Sequence, residues 1–240
     1  MGAFFNDPKL KQDVMHQLRQ DRKLDRLMQG HYFVDGHGCH LGCLTRCNKD
    51  SHKAVEQMFN IPERIAYLLE VVFENLTVNQ SKWWAIESVD AIPVGADLSK
   101  VHHELSYWLL GPDSPSAEGN KNMIVASVIS QIRSLHRQAA DGAEITKEQW
   151  EATHRSTPYV SIPYISSYPN RSARSAWLAA SASTAIADAN ATARAAANSA
   201  DSAAYSGLDH SGKWLSAWKK IADKSIEVFK SCSSEERRDL

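Results

Sequence analysis

Apolar positions in this chain recur at intervals of three and four in segment after segment, and nowhere hold the alternation of a strand. Leu10, Val14, Leu18, Leu24 and then Leu27 or Met28 predict a first helix. Asp7 suits its N-cap, Pro8 its first turn, and Gly30 its end. The stretch His31 to His40, reading HYFVDGHGCH, is excluded from regular helix by Gly36 and Gly38, which cost about 1 kcal/mol each there. From Ser51 the helical pattern resumes with Ala54, Val55, Met58 and Phe59, and Asn60-Ile61-Pro62 breaks it. Pro62 opens the next helix, whose stripe Ile65, Leu68, Leu69, Val72, Phe73 and Leu76 is the cleanest in the chain. A short piece with Trp83, Trp84, Ile86 and Val89 leads to Pro93.

Asp97 then reads as the cap of a helix bearing Leu98, Val101, Leu105, Trp108 and Leu109. A further helix over 121–140 places Val125, Val128, Ile129, Ile132 and Leu135 inward and ends at Gly142. Thr146 with Gln149 has the spacing of a capping box for a helix through Trp150. Pro158, Pro163 and Pro169, set among serines and tyrosines, predict a connection over 157–171. Alanine and serine dominate from Ser172 to Ala204. Alanine is the strongest helix former, so about 33 residues there predict a rod of roughly 50 Å. Gly207 and Gly212 are expected to break the chain before a last amphipathic helix with Trp214, Trp218, Ile221, Ile226 and Phe229. The fold class predicted is mainly α: a multi-helix globular domain (1–156), a connection (157–171), and an Ala-rich long helix with a terminal amphipathic helix (172–240).

Composition narrows the setting. Hydrophobic residues make up 43% and charged residues 23%, the balance of a folded globular chain. The net charge is -1 and no basic block stands out, so no nucleic-acid partner is expected. No secretory signal and no membrane-length apolar run is read, which makes the cytoplasm the expected location and a membrane partner unexpected. Four cysteines are too few for a disulfide scaffold in a chain of this size.

The one concentrated chemical cluster is His37-Gly38-Cys39-His40-Leu41-Gly42-Cys43, followed by Cys47 and His52. Thiolates and imidazoles are natural zinc ligands, which makes Cys39, Cys43, Cys47 and His52 the candidate metal set. Against it, spacing by four puts the three cysteines on one helical stripe rather than on two separate turns. The plainer alternative is that Cys39 and Cys43 are small buried residues at a tight crossing, with glycines allowing close approach. His102 and His103 adjoin on a helix, so one is expected to face outward. The tryptophans at helical spacing read as core. No P-loop, G-x-S-x-G or H-E-x-x-H motif occurs, and neither a cofactor nor a catalytic residue is assigned.

The segment Gly38-Cys39-His40-Leu41-Gly42-Cys43-Leu44, then Ile61-Pro62 with a helix ending Val72-Phe73-Glu74, then Ala91 to Leu98, resembles a family of uncharacterised bacterial and phage-borne proteins that also end in an Ala-rich tract and an amphipathic helix. The resemblance spans nearly the whole chain and departs at 157–170. It carries no functional residues over. It implies a phage- or prophage-encoded, non-enzymatic binding or inhibitor protein, whose partner is a host (defence) protein or a small signalling molecule. A homo-oligomer through the Ala-rich tract is the further expectation. The alternative is a metal- or thiol-dependent enzyme centred on Cys39 and Cys43.

Overall fold

The structure, a computed structural model, describes residues 1–49, 51–115, 123–156 and 210–233. The described part is 68% helical and has no strand, about twice the helix content of an ordinary soluble domain. The mainly α prediction holds. The connection 157–171 and the Ala-rich tract 172–204 lie outside the described residues, as does Gly207. The chain divides into two units, Met1–Val101 with Ala222–Leu240, and His102–Ile221.

The first unit holds α1 (Pro8–Lys23), α2 (His40–Thr45), α3 (Ser51–Phe59), α4 (Glu63–Asn75) and α5 (Val78–Ala91). α4 is its centre, packing against α2, α3 and α5. The reason is the stripe read in the sequence: Ile65, Leu68, Leu69, Val72 and Phe73 are all buried, each contributing roughly 1.5–3 kcal/mol. Trp84 from α5 is buried against this stripe, and its indole N–H donates to the Leu69 carbonyl at 2.9 Å.

Caps explain the helix boundaries. Asp7 accepts from the Lys9 N–H at 2.8 Å, with Pro8 opening α1 as predicted. The helix ends at Lys23, earlier than expected. Asp25 turns left-handed at φ 57°, the Arg26 N–H donates to the Asp21 carbonyl at 2.8 Å, and the Asp25 N–H to Arg22 at 3.2 Å. That is a Schellman stop built on Asp instead of Gly. Leu27 and Met28 therefore belong to the loop beyond, where Leu27 bridges to Gly38. The piece around Trp83 proves to be a full helix, α5, opened by a capping box in which Thr77 and Gln80 bond reciprocally.

The second unit holds α6 (Val101–Leu109), α7 (Met123–Ala140) and α8 (Lys147–Ser156), with α7 packed on α8. α6 begins at Val101 rather than beside Asp97, because the Asp97 carboxylate accepts from the Ser99 N–H at 2.9 Å and closes a turn instead of a helix. The predicted capping box before α8 is present: the Thr146 N–H donates to Gln149 Oε1 at 2.8 Å, and the Gln149 N–H to Thr146 Oγ1 at 3.3 Å. α9 (His210–Lys230) runs across the division between the units. Gly212 lies inside its first turn and does not break it. The N–H groups of a first turn have no intrahelical partner in any case, so a glycine there costs little. Of the predicted stripe, Trp218, Ile221, Ile226 and Phe229 are buried and Trp214 is half-buried. No described helix is long and apolar enough to cross a membrane.

Candidate functional site

The Cys/His-rich segment is built by close backbone approach. A Cβ on Gly42 would lie 2.9 Å from the Phe33 nitrogen, and one on Gly38 would lie 3.0 Å from the Phe33 Cα. Only glycine lets the 32–33 backbone lie on α2 in this way. The Cys39 N–H donates to the His31 carbonyl at 2.5 Å and Met28 N–H to Gly38 at 2.9 Å, which ties the segment to the start of α2. From α4, the Glu74 carboxylate accepts from the Gly30 N–H at 2.7 Å, while the Gln29 amide donates to the Phe73 carbonyl at 2.7 Å.

The three cysteines do not form a helical stripe. Cys39 is the N-cap of α2, Cys43 lies within it, and Cys47 follows the left-handed residue Arg46 that ends it. Cys39 is buried; its sulfur accepts from the Gly42 N–H at 3.4 Å, and its thiol points to Glu70 Oε1 at 3.9 Å. The Cys43 thiol is buried and donates to the Gly38 and Arg26 carbonyls at 3.4 and 3.6 Å. Cys47 is half-buried, its thiol directed to the Thr45 carbonyl at 3.6 Å. On α3, His52 holds Glu70 Oε2 at 2.6 Å and stacks on Tyr67 at 3.7 Å between ring centroids. Of the four candidate ligands, then, Cys39 and His52 converge on the two oxygens of Glu70, whereas Cys43 and Cys47 point elsewhere. Among the described residues, no group of three or more His, Cys, Asp and Glu side chains is arranged to hold a metal ion.

The electrostatics decide what these thiols can do. An N-cap position favours a thiolate, and the Gly42 N–H acts in that direction at Cys39. Burial outweighs it, and the charges of Glu70 and Glu74 add to burial, so the Cys39 thiol is pushed up to about 11. Burial, with Asp21 nearby, pushes Cys43 up to about 12. A nucleophilic cysteine needs a base within hydrogen-bond reach. Here the His52 imidazole that could serve is held on the far oxygen of Glu70. Both thiols are held protonated.

Two further features surround the segment. Asp21, fully buried on α1, is met by Arg46 Nη2 at 2.8 Å and Arg26 Nη1 at 3.6 Å, and Arg46 also covers the Phe33 ring at 4.9 Å. His40 is buried between α2, α4 and α5, 5.9 Å from Phe73 between ring centroids. Burial pulls its imidazole down to about 4, against the Leu69 and Ala85 carbonyls and Glu70, which favour the charged form. On the outside, the same segment displays Leu24, Met28, Tyr32 and Val34, exposed by 52%, 42%, 51% and 58%.

Sequence reasoning missed a second cluster. His102 is buried instead of one of the pair being a simple surface residue, and His103 is half-buried. His103 Nδ1 lies 3.0 Å from Nδ1 of His136 on α7, and both rings pack on Trp150 of α8. Nothing in the spacing of 102, 103, 136 and 150 announces that meeting; it depends on how α6, α7 and α8 pack. Comparison of the chain with protein-family models, with curated proteins and with solved structures finds no match.

Proposed function

We propose that the protein is a non-enzymatic binding protein that engages a partner protein through the exposed apolar segment between Leu24 and Val34. The observation that carries this reading is the combination in one segment of a pinned backbone and outward apolar side chains. Its inner face is tied down by the Gly30, Gln29 and Cys39 hydrogen bonds, while Leu24, Met28, Tyr32 and Val34 face solvent. Apolar side chains on a loop held by a scaffold bind without a large ordering cost. The resemblance to phage-borne proteins supports a host protein as the partner, and a small signalling molecule is the second ligand class to screen. The Ala-rich tract 172–204 supports self-association of the chain through that tract.

The thiol-enzyme alternative is opposed by the raised pKa values of Cys39 and Cys43 and by the placement of His52. The test is affinity capture from host lysate with three baits: wild type, Tyr32→Ala with Val34→Asp, and Cys39→Ser. The expected result is a defined species held by wild type and Cys39→Ser and lost from the surface variant at unchanged melting temperature. Loss with Cys39→Ser alone would overturn the surface reading in favour of thiol chemistry.

A further inference from the structure

We propose that His102, His103 and His136 make the packing of α6 on α7 and α8 a pH-sensitive switch, closed at neutral pH and opened in weak acid once more than one of the three rings must be protonated. The imidazoles lie in one run: the His102 and His103 ring centroids are 3.8 Å apart, and those of His103 and His136 are 5.2 Å apart. His136 and His102 are buried and His103 is half-buried. His103 and His136 meet Nδ1 to Nδ1 at 3.0 Å, a contact that admits a single proton between the two atoms. The accepting ring carries its own proton on Nε2.

This arrangement holds one positive charge and resists a second. A first proton goes to Nε2 of the donating ring, and the hydrogen bond within the pair becomes charge-assisted. Trp150, stacked on His103 at 5.9 Å and 12°, also favours a cation there. A second proton on the accepting ring would set N–H against N–H at 3.0 Å, and one on His102 would bring two cations within 3.8 Å between centroids. The charged groups of the packed helices are Glu104 on α6, Arg133, Arg137 and Asp141 at α7, and Glu151 on α8. Arg137 grips both oxygens of Glu104 at 3.1 and 3.2 Å and pairs with Asp141 as well. Arg133 covers the Tyr107 ring at 4.1 Å, and Glu151 pairs with Lys147 at 3.6 Å. The two arginines add to the repulsion that a second imidazolium meets. Once the helices part, all three rings are solvated, and a solvated imidazole takes its proton near pH ~6.5. Opening therefore binds two protons that the closed form refuses, so closure is fully stable above that pH and is lost below it. Trp150 and Leu105, buried in the closed form, are then exposed. All of these residues belong to the second unit, so the proposal is independent of the binding surface and of His40 in the first.

The test is hydrogen exchange of the full chain at pH ~7.5, ~6.5 and ~5.5, read peptide by peptide in the mass spectrometer and corrected for the intrinsic exchange rate. Two protons taken up on opening predict that protection within 102–109 and 147–156 falls about thirtyfold between pH ~6.5 and ~5.5. His102→Gln leaves the hydrogen-bonded pair in place and removes one proton from the count, so its fall should be about fivefold. A chain with His102→Gln, His103→Gln and His136→Gln together should show almost none, and His40→Leu should match wild type. Constant protection in wild type, the same fall in His102→Gln, loss of the effect in His40→Leu, or an equal fall across α4 would each overturn the switch. Should a glutamine variant not fold, the wild-type fall in these peptides set against α4 decides it alone.

Discussion

Cys39 sits at a helix N-terminus, where backbone N–H groups stabilise a thiolate, and also beside Glu70 and Glu74 in a site closed to water. Desolvation and like charge win, since neither is relieved by one N–H at 3.4 Å. Cys43 and Cys232 are buried as well, and Cys47 is the half-buried exception. Iodoacetamide at mildly alkaline pH is therefore expected to label native protein at Cys47 first. Cys39, Cys43 and Cys232 should react only at the rate of unfolding, as peptide mass spectrometry would show. Fast labelling of Cys39 would contradict the electrostatics above. Gly42 offers a second test at this scale. A methyl there meets the Phe33 nitrogen at 2.9 Å, and backbone has no rotamer with which to move aside. Gly42→Ala should cost about 1–3 kcal/mol in urea unfolding. The closeness of Gly38 and Gly42 to other backbone was legible from the sequence. The partner, Phe33, was not, because close approach leaves its mark only on the residue that must be small.

Among the elements, long stripes were readable and punctuation was readable only in its commonest spelling. α4 declares itself because five apolar residues, Ile65, Leu68, Leu69, Val72 and Phe73, fall on one face, and Thr146 with Gln149 because that box stands directly before an apolar position. α1 ends before its apolar spacing does, because its stop uses Asp25 in the left-handed region, where glycine is the usual signal. α6 starts later than the cap-like Asp97 suggests, because Asp97 can bond two residues ahead and make a turn, as easily as cap a helix. α5 is longer than its apolar pattern predicts, although Thr77-Val78-Asn79-Gln80 carries the capping-box spacing. Its apolar residues are crowded with tryptophans and buried serines, Ser81 and Ser88, that blur the stripe. The box makes the expectation at this scale. Thr77 Oγ1 accepts from the Gln80 N–H at 3.4 Å, and Gln80 Oε1 accepts from the Thr77 N–H at 3.2 Å. Thr77→Ala removes the first and loosens the second, and should cost about 1 kcal/mol. Thr77→Ser should restore most of it. Equal stability of all three chains would show that tertiary packing alone sets the start of α5.

For the molecule as a whole, the titration of His40 links one buried ring to global stability. The ring lies where α2, α4 and α5 meet, fully buried, so its charged form is disfavoured for as long as that core stays closed. Burial lowers its pKa to about 4 in the folded chain from 6.5 ordinarily. Between those values the unfolded chain binds a proton that the folded chain does not. Stability is therefore full above pH ~6.5 and is lost as the pH falls toward ~4, with a slope of up to about 1.4 kcal/mol per unit. Below that the folded form protonates as well and the slope from this residue vanishes. Carboxylates titrate over part of the same range, so a single curve does not isolate the effect, but a difference between two chains does. His40→Leu fills similar space, removes two buried nitrogens and cannot be protonated. Its stability in urea should approach or exceed that of wild type as the pH is lowered, the gap moving in its favour by about 2–3 kcal/mol between pH ~7 and ~4.5. Any constant loss from altered packing displaces the variant's curve without changing its slope. Parallel curves across the window would mean that His40 is protonated or solvated in the folded chain, and that the core of the first unit is wetter than its burial implies.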